Sequence, residues 1–226
     1  MTVAAANNYL VNLLAGSPQL PASPQAWLND LRAHAVDRVG VLTVPNTRDE
    51  EWRFTDISPL TKISFQPARS PARLGASDIE RFILPEAAAR LTFVDGVYAP
   101  QLSFNSAGIM VENMAAGVVG HAGSMQAHLG QHAVFQDNAF AALNTAFLHD
   151  GALIVVPRNV SVAAPLHLLF IATEKDVASY PRCLVVAESG SAVTLIEDFV
   201  AARDDSSFTN AVAEIAAEAR VDLAEV

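Results

Sequence analysis

From Gly151 onward the chain is a succession of short apolar segments, "ALIVVP", "LHLLFIA", "RCLVVAE", "AVTLIEDF", "FTNAVAEI" and "VDLAEV", with nothing of helical length between them. That feature removes most folds. Parallel strands joined by helices need a crossover of about a dozen residues or more, so βαβ architecture is excluded. Alternation is legible in several segments: in "AVTLIEDF", Val193 and Leu195 point one way while Thr194 and Ile196 point the other. Tight punctuators separate the segments at Pro157-Arg158-Asn159, Glu188-Ser189-Gly190-Ser191 and Asp204-Asp205-Ser206. An antiparallel sandwich and a parallel β-solenoid both satisfy this grammar. Irregular spacing and the lack of Asn-Gly or Asp-Gly turns between the strands favour the solenoid. The last segment reaches Val226 without a capping element. An uncapped solenoid end exposes unpaired N–H and C=O groups, so the expectation is a fragment or a chain completed by a partner.

The front of the chain reads as helical. Val3, Ala6, Leu10, Leu13 and Leu14 recur at helical spacing until Gly16-Ser17-Pro18 breaks the pattern. Ser23-Pro24 restarts a helix as N-cap and N1, carrying Leu28, Leu31, Ala35 and Val39 on one face, and Gly40 stands where a C′ residue belongs. Thr47 to Glu50 has capping-box spacing and predicts one or two helical turns over "RDEEWRF", with Trp52 inward and the acids outward. Lys62 to Ala76 is a basic, Pro-punctuated linker. Ser77-Asp78-Ile79-Glu80 is a second capping box. "LTFVDGVYAP" predicts a β-hairpin, Asp95-Gly96 supplying the two positive-φ positions of a type I′ turn. Gly108 to Gly123 carries no firm pattern. Asp137 to His149 predicts a helix with Phe140, Leu143, Ala146 and Phe147 on one side, ended by Gly151.

Composition narrows the function classes. A formal net charge of −10 argues against non-specific binding to nucleic acid or anionic lipid, which needs clustered Lys and Arg. The lone Cys183 excludes an internal disulfide framework and CxxC-type zinc sites, and fits a reducing compartment. The first basic residue is Arg32, so no secretory or mitochondrial leader is legible, and no apolar run approaches the ~18 residues needed to span a bilayer. A soluble, cytoplasmic protein is expected.

"EEWRFTDISPL" (Glu50 to Leu60) resembles the N-terminal signature of the SufB/SufD family of iron–sulfur cluster assembly proteins, on its SufD side. "LTFVDGVYAPQLS", "FAALNTAFLHDGALIVVPRNV", "APLHLLFIAT", "PRCLVVAESGSAVTLIEDFV" and "FTNAVAEI" follow in family order; the later ones are shared with SufB, and the early "EEWRFTD" favours SufD. The resemblance implies a mainly β protein with α: an N-terminal helical region followed by the first rungs of a right-handed parallel β-helix. The corresponding divisions are 1–76 (helical region with linker), 77–150 (mixed α/β connecting region with a hairpin) and 151–226 (an incomplete β-helix start). It further implies that the β-helix continues to a C-terminal helical domain. That distal half would pair with a SufB-like subunit and dock a SufC-like ATPase, and it would hold the residues linked to the cluster. None of those residues transfers to this chain. In this frame "DEEWRFTDISPL" is a structural joint in which Trp52 and Phe54 bury against the first helices, about 2–3 kcal/mol each. The alternative is an exposed docking patch whose acids meet a basic surface.

Candidate chemistry is sparse. His121, His128 and His132 are the best metal candidates, the last two at i, i+4; Gly123 and Gly130 argue against a rigid helix there, so surface or capping roles are expected and no metal site is assigned. Cys183 lies in an alternating strand and is expected to be a buried thiol, Arg182 pointing to the opposite face. Glu197 and Asp198 raise a β-helix carbohydrate-active enzyme, since glycoside hydrolysis uses facing carboxylates. Neighbouring strand residues point apart, so such a pair would need Glu188 or Glu214 from other rungs. His34, His149 and His167 are isolated, and His167 is expected to face outward. No Walker or dinucleotide fingerprint occurs, so ATP dependence would come from a partner. The reading is a non-catalytic scaffold subunit with no catalytic residues, no cofactor in this segment, and partners of the SufB and SufC kind. A self-associating solenoid module is the third alternative.

Overall fold

The computed structural model describes residues 3–15, 20–68, 72–218 and 220–225. The expected break at Gly16-Ser17-Pro18, the middle of the linker (69–71) and Val226 lie outside the described residues. The described residues hold helices α1 (Val3–Leu14), α2 (Ala26–Val39), α3 (Ala76–Ile79), α4 (Met114–Gly120), α5 (Ala122–His128) and α6 (Ala139–Ala146). The first five strands are β1 (Gln66–Pro67), β2 (Ala89–Val94), β3 (Val97–Tyr98), β4 (Phe104–Asn105) and β5 (Met110–Asn113). The later ones are β6 (Gly151–Val156), β7 (Leu166–Ala172), β8 (Val177–Ser179), β9 (Arg182–Ala187), β10 (Ala192–Ala201), β11 (Ser207–Thr209), β12 (Val212–Ala217) and β13 (Arg220–Glu225).

From β6 onward the strands pair in parallel with the third strand after them. β6 pairs β9 and β9 pairs β12; β7 pairs β10 and β10 pairs β13; β8 pairs β11. Gly151 stands opposite Arg182, and Arg182 opposite Val212. The corners stack with the same period: Arg158 N donates to Glu188 Oε2 at 2.9 Å and Ser179 Oγ bonds Thr209 Oγ1 at 3.3 Å, both pairs 30 residues apart. The ladders start earlier in the chain, β2 of the connecting region joining β7 and β1 of the linker joining β8, both in parallel. Among the described residues antiparallel pairing is confined to β3 and β4 against β2 and β5 against β6. The described residues thus form a mixed α/β fold with three sheets.

Burial explains the text of the strands. β6, β7 and β9 are covered on both faces, so they read as nearly unbroken apolar runs. One face lines a core between the two larger sheets, with Leu91, Phe93, Leu168, Phe170, Ile154, Val185 and Leu195. The other face carries separate layers. Leu153 and Leu184 pack under α4 and α5 with Met114, Val118 and Met125, and Leu169 and Ile171 pack under Ile79 and Leu102. β10 lacks such a cover at its start, and there it alternates between exposed and buried. Helices α1, α2 and α6 form a further cluster with Phe65, Phe135 and Tyr180.

Local expectations fare unevenly. The hairpin stands, with Asp95 at φ 50° and Gly96 at φ 82° between β2 and β3. The second helix starts after Gln25, whose N–H is received by Ser23 Oγ at 3.1 Å, two residues later than expected. Gly40 ends that helix in right-handed conformation (φ −62°), because its N–H still reaches Val36 O and no reversal is required. The second capping box slides by two: Asp78 accepts the N–H of Gly75 at 2.7 Å. Asn138 caps α6, accepting from Phe140 and Ala141, and the helix stops at Ala146, so Gly151 is not its terminator but the first residue of β6. "FTNAVAEI" is two strands, not one: Asn210 turns the corner between β11 and β12, because its side chain and carbonyl are both engaged by α6.

Candidate functional site

The segment 49–60 is built by short-range polar bonds. Glu50–Trp52 forms a single 3-10 turn; Asp49 accepts the N–H of Asn46 at 2.8 Å, and Asp56 accepts from Ser58 N and Oγ at 2.9 and 3.0 Å. Those Ser58 bonds hold the Asp56 carboxyl below its ordinary range. Trp52 is half-buried, its ring 5.7 Å from Phe140 of α6. Phe54 is 93% exposed, with the Arg53 guanidinium 5.5 Å from its ring centre. The expected burial of both aromatics against the first helices is therefore corrected. Only Trp52 is a joint, and it is joined to α6, because a one-turn helix presents just one of the two rings to the protein.

The histidines do not converge. His121 sits between α4 and α5, 3.9 Å from Glu112 Oε2. His128 and His132 stack nearly parallel, ring centres 6.2 Å apart, beside a cavity of about 520 Å³ on the outer face of the β6–β9–β12 sheet. Among the described residues no group of three or more His, Cys, Asp or Glu is arranged to hold a metal. His34 is exposed and His149 half-buried.

The acids and the thiol separate by face. Cys183 and Glu197 are buried on the inner faces of β9 and β10; burial, then Glu197, pushes the thiol well above its ordinary value. Asp198 opens to the outer face, where its Oδ2 lies 2.8 Å from Nε2 of His167. Glu188 receives the Arg158 N–H one turn away. His167 does face outward from the sheet, yet it is wholly buried. Burial pushes its pKa down, partly opposed by Asp198 and reinforced by Arg90. A folded-state value below the unfolded 6.5 favours the neutral ring, so this contribution is complete above about pH 6.5 and is lost as pH falls through the folded value. The wild type should lose more stability than His167→Gln between pH 7.5 and pH 5 in urea titrations. Equal losses would remove His167 as the acid-sensitive group.

The most heavily bonded polar site went unread in the sequence. Arg182 and Glu214 have fully buried side chains; Nε lies 3.0 Å from Oε1, an ion-pair contact whose N–H points off the line to the oxygen. Val212 stands opposite Arg182 in the ladder, so Glu214 is its diagonal neighbour on the same outer face. Glu214 also accepts from Gly130, His132 and Ala133 N at 2.9, 2.9 and 3.1 Å. Arg182 Nη1 donates to Asn144 Oδ1 at 3.0 Å, and Asn144 Nδ2 donates to the carbonyls of Pro181 and Asn210 on successive turns. The network pins α6 and the segment before it to two turns of strand. A legible signal existed: charged residues inside "PRCLVV" and "AVAEI", one rung apart.

Two family models between them match most of the chain. The SufBD protein N-terminal region matches residues 5–168, and the SufBD core domain of the SUF system for FeS cluster assembly matches residues 170–226. An iron–sulfur cluster assembly SufBD family protein of Synechocystis sp. is 33% identical over 198 residues, covering 81% of this chain and 43% of that protein. The iron–sulfur cluster assembly protein SufD of Bacillus subtilis is 26% identical over 184 residues (77% of this chain, 42% of that protein). A SufBD family protein of Staphylococcus epidermidis is 25% identical over 219 residues (90% and 47%). The chain thus spans under half the length of these relatives.

Proposed function

The chain belongs to the SufB/SufD family of iron–sulfur cluster assembly proteins, and from that premise we propose that it is the front half of a non-catalytic, SufD-like scaffold subunit. The observation that carries this reading is the winding of β6 to β13, in which each of β6 to β10 pairs in parallel with the third strand after it. We read that winding as the first turns of a right-handed parallel β-helix. Further turns would extend it to a SufB-like subunit, with a SufC-like ATPase supplying the hydrolysis and a nascent cluster as cargo. Among the described residues no further strand pairs with β11, β12 or β13. We place its work in the cytoplasm on the family reading; no helix of the described residues is long and apolar enough to cross a membrane. The carbohydrate-enzyme alternative has less support. Glu197 and Asp198 open to opposite faces, while Glu188 and Glu214 are engaged by backbone N–H groups.

Co-expression of the intact protein with SufB- and SufC-like subunits tests the proposal. The expected result is one co-eluting complex that builds clusters faster than the same mixture without this subunit. Elution of the intact protein alone, with cluster assembly undiminished in its absence, would overturn the reading.

A further inference from the structure

The segment between α5 and α6 crosses the outer face of the β6–β9–β12 sheet as a strap. Leu129 at its start is buried under α4 and α5. Beyond it, Gly130 turns at φ +77°, and the N–H groups of Gly130, His132 and Ala133 all converge on one carboxylate, Glu214. Among the described residues these three N–H groups have no backbone acceptor. Their partner comes from a strand 84 residues after Gly130, and that strand is the last rung of its sheet among the described residues. Charge-assisted bonds to a carboxylate are roughly twice as strong as neutral ones, and a buried N–H that loses its acceptor must reach water. The strap lies at the surface: His132 is exposed, Gly130 and Ala133 half-buried. Solvent is therefore within reach of these N–H groups should the carboxylate withdraw.

What the seated arrangement builds is specific. It holds the His132 ring against His128, and the pair forms one wall of the cavity whose floor is Val155, Val186 and Ala216, aligned across three rungs, with Arg158 beside it. We propose that the Glu214 carboxylate is a latch that closes the 130–133 strap onto the sheet, so that the His128–His132 wall of this cavity is in place only when strand β12 is seated. Arg182 is the positioning residue of the latch. It lies one rung below, tied to α6 through Asn144, and fixes the carboxylate where the strap N–H groups arrive. The outer edge of β12 carries no strand among the described residues. This inference does not depend on the assembly reading.

Amide hydrogen exchange on the intact protein tests it, with Glu214→Gln and the double variant Arg182→Met/Glu214→Leu beside the wild type. The double variant removes both buried charges and is the one expected to keep the fold. In both, exchange at Gly130, His132 and Ala133 is expected to rise about tenfold or more. In the double variant, Leu168 and Phe170 of β7 should keep wild-type protection, and the cross-relaxation between the His128 and His132 rings should vanish. Strap protection unchanged in the double variant, or lost only in step with β7, would overturn the latch.

Discussion

Gly151→Ala is expected to abolish the soluble, folded protein. A Cβ at this position would stand 1.8 Å from Arg182 O and 2.7 Å from Arg182 C and N. All three atoms are backbone of the next rung, so no side chain can swing aside. The residue also sits at φ +147°, a conformation L side chains rarely adopt. Relief requires β6 and β9 to move apart, which costs the register from Ala152–Cys183 to Val156–Ala187 and the core packed on both of its faces. The cost exceeds about 4 kcal/mol, a large part of the ~5–15 kcal/mol that holds a domain together. Gly120→Ala, at the C-terminal end of α4, is the matched control: nothing lies within 4 Å of its Cβ, and it should shift stability by no more than about 0.5 kcal/mol. A wild-type urea midpoint for Gly151→Ala would mean that the first rung does not approach the second this closely.

Arg182→Met should produce the second largest loss. The guanidinium is fully buried, in ion-pair contact with Glu214 and bonded to Asn144 and Thr145. Burial pushes its pKa down and Glu214 pulls it back, so each charge is the other's main compensation for leaving water. Removing one partner of a buried pair costs about 3–5 kcal/mol; since Glu214 keeps three N–H donors, about 3 kcal/mol is expected. Adding Glu214→Leu should cost clearly less than the sum of the two single losses, because the second substitution removes a charge already left unpaired. Strict additivity in a urea-unfolding cycle would show that the two side chains do not act as a pair. This cycle measures stability; hydrogen exchange of the strap separately measures where the network acts.

The stretch beginning at Gly151 made its longer strands legible, and the irregular spacing between them favoured a parallel course over a sandwich; the short corner strands β8 and β11 and the pairing itself came only with the tertiary structure. Asp95-Gly96 determined its hairpin because two adjacent positive-φ positions admit few other structures. Cys183 could be placed inside its strand for the same kind of local reason, the period-2 alternation of a pleat. Family membership was legible too, since it resides in the order of the segments themselves. The tertiary structure alone decided which polar residues meet. Arg182 and Glu214 pair because one rung is 30 residues long, as the corner contacts show, and register is a property of the stacked turns that neither segment contains. His167 is buried because a separate layer covers its face, and Phe54 is exposed because α6 receives Trp52 and leaves the neighbouring ring outside. Periodicity states which way a side chain points from its own backbone. What lies in that direction is set by chain arriving from 30 to 80 residues away, through closures that no local pattern records.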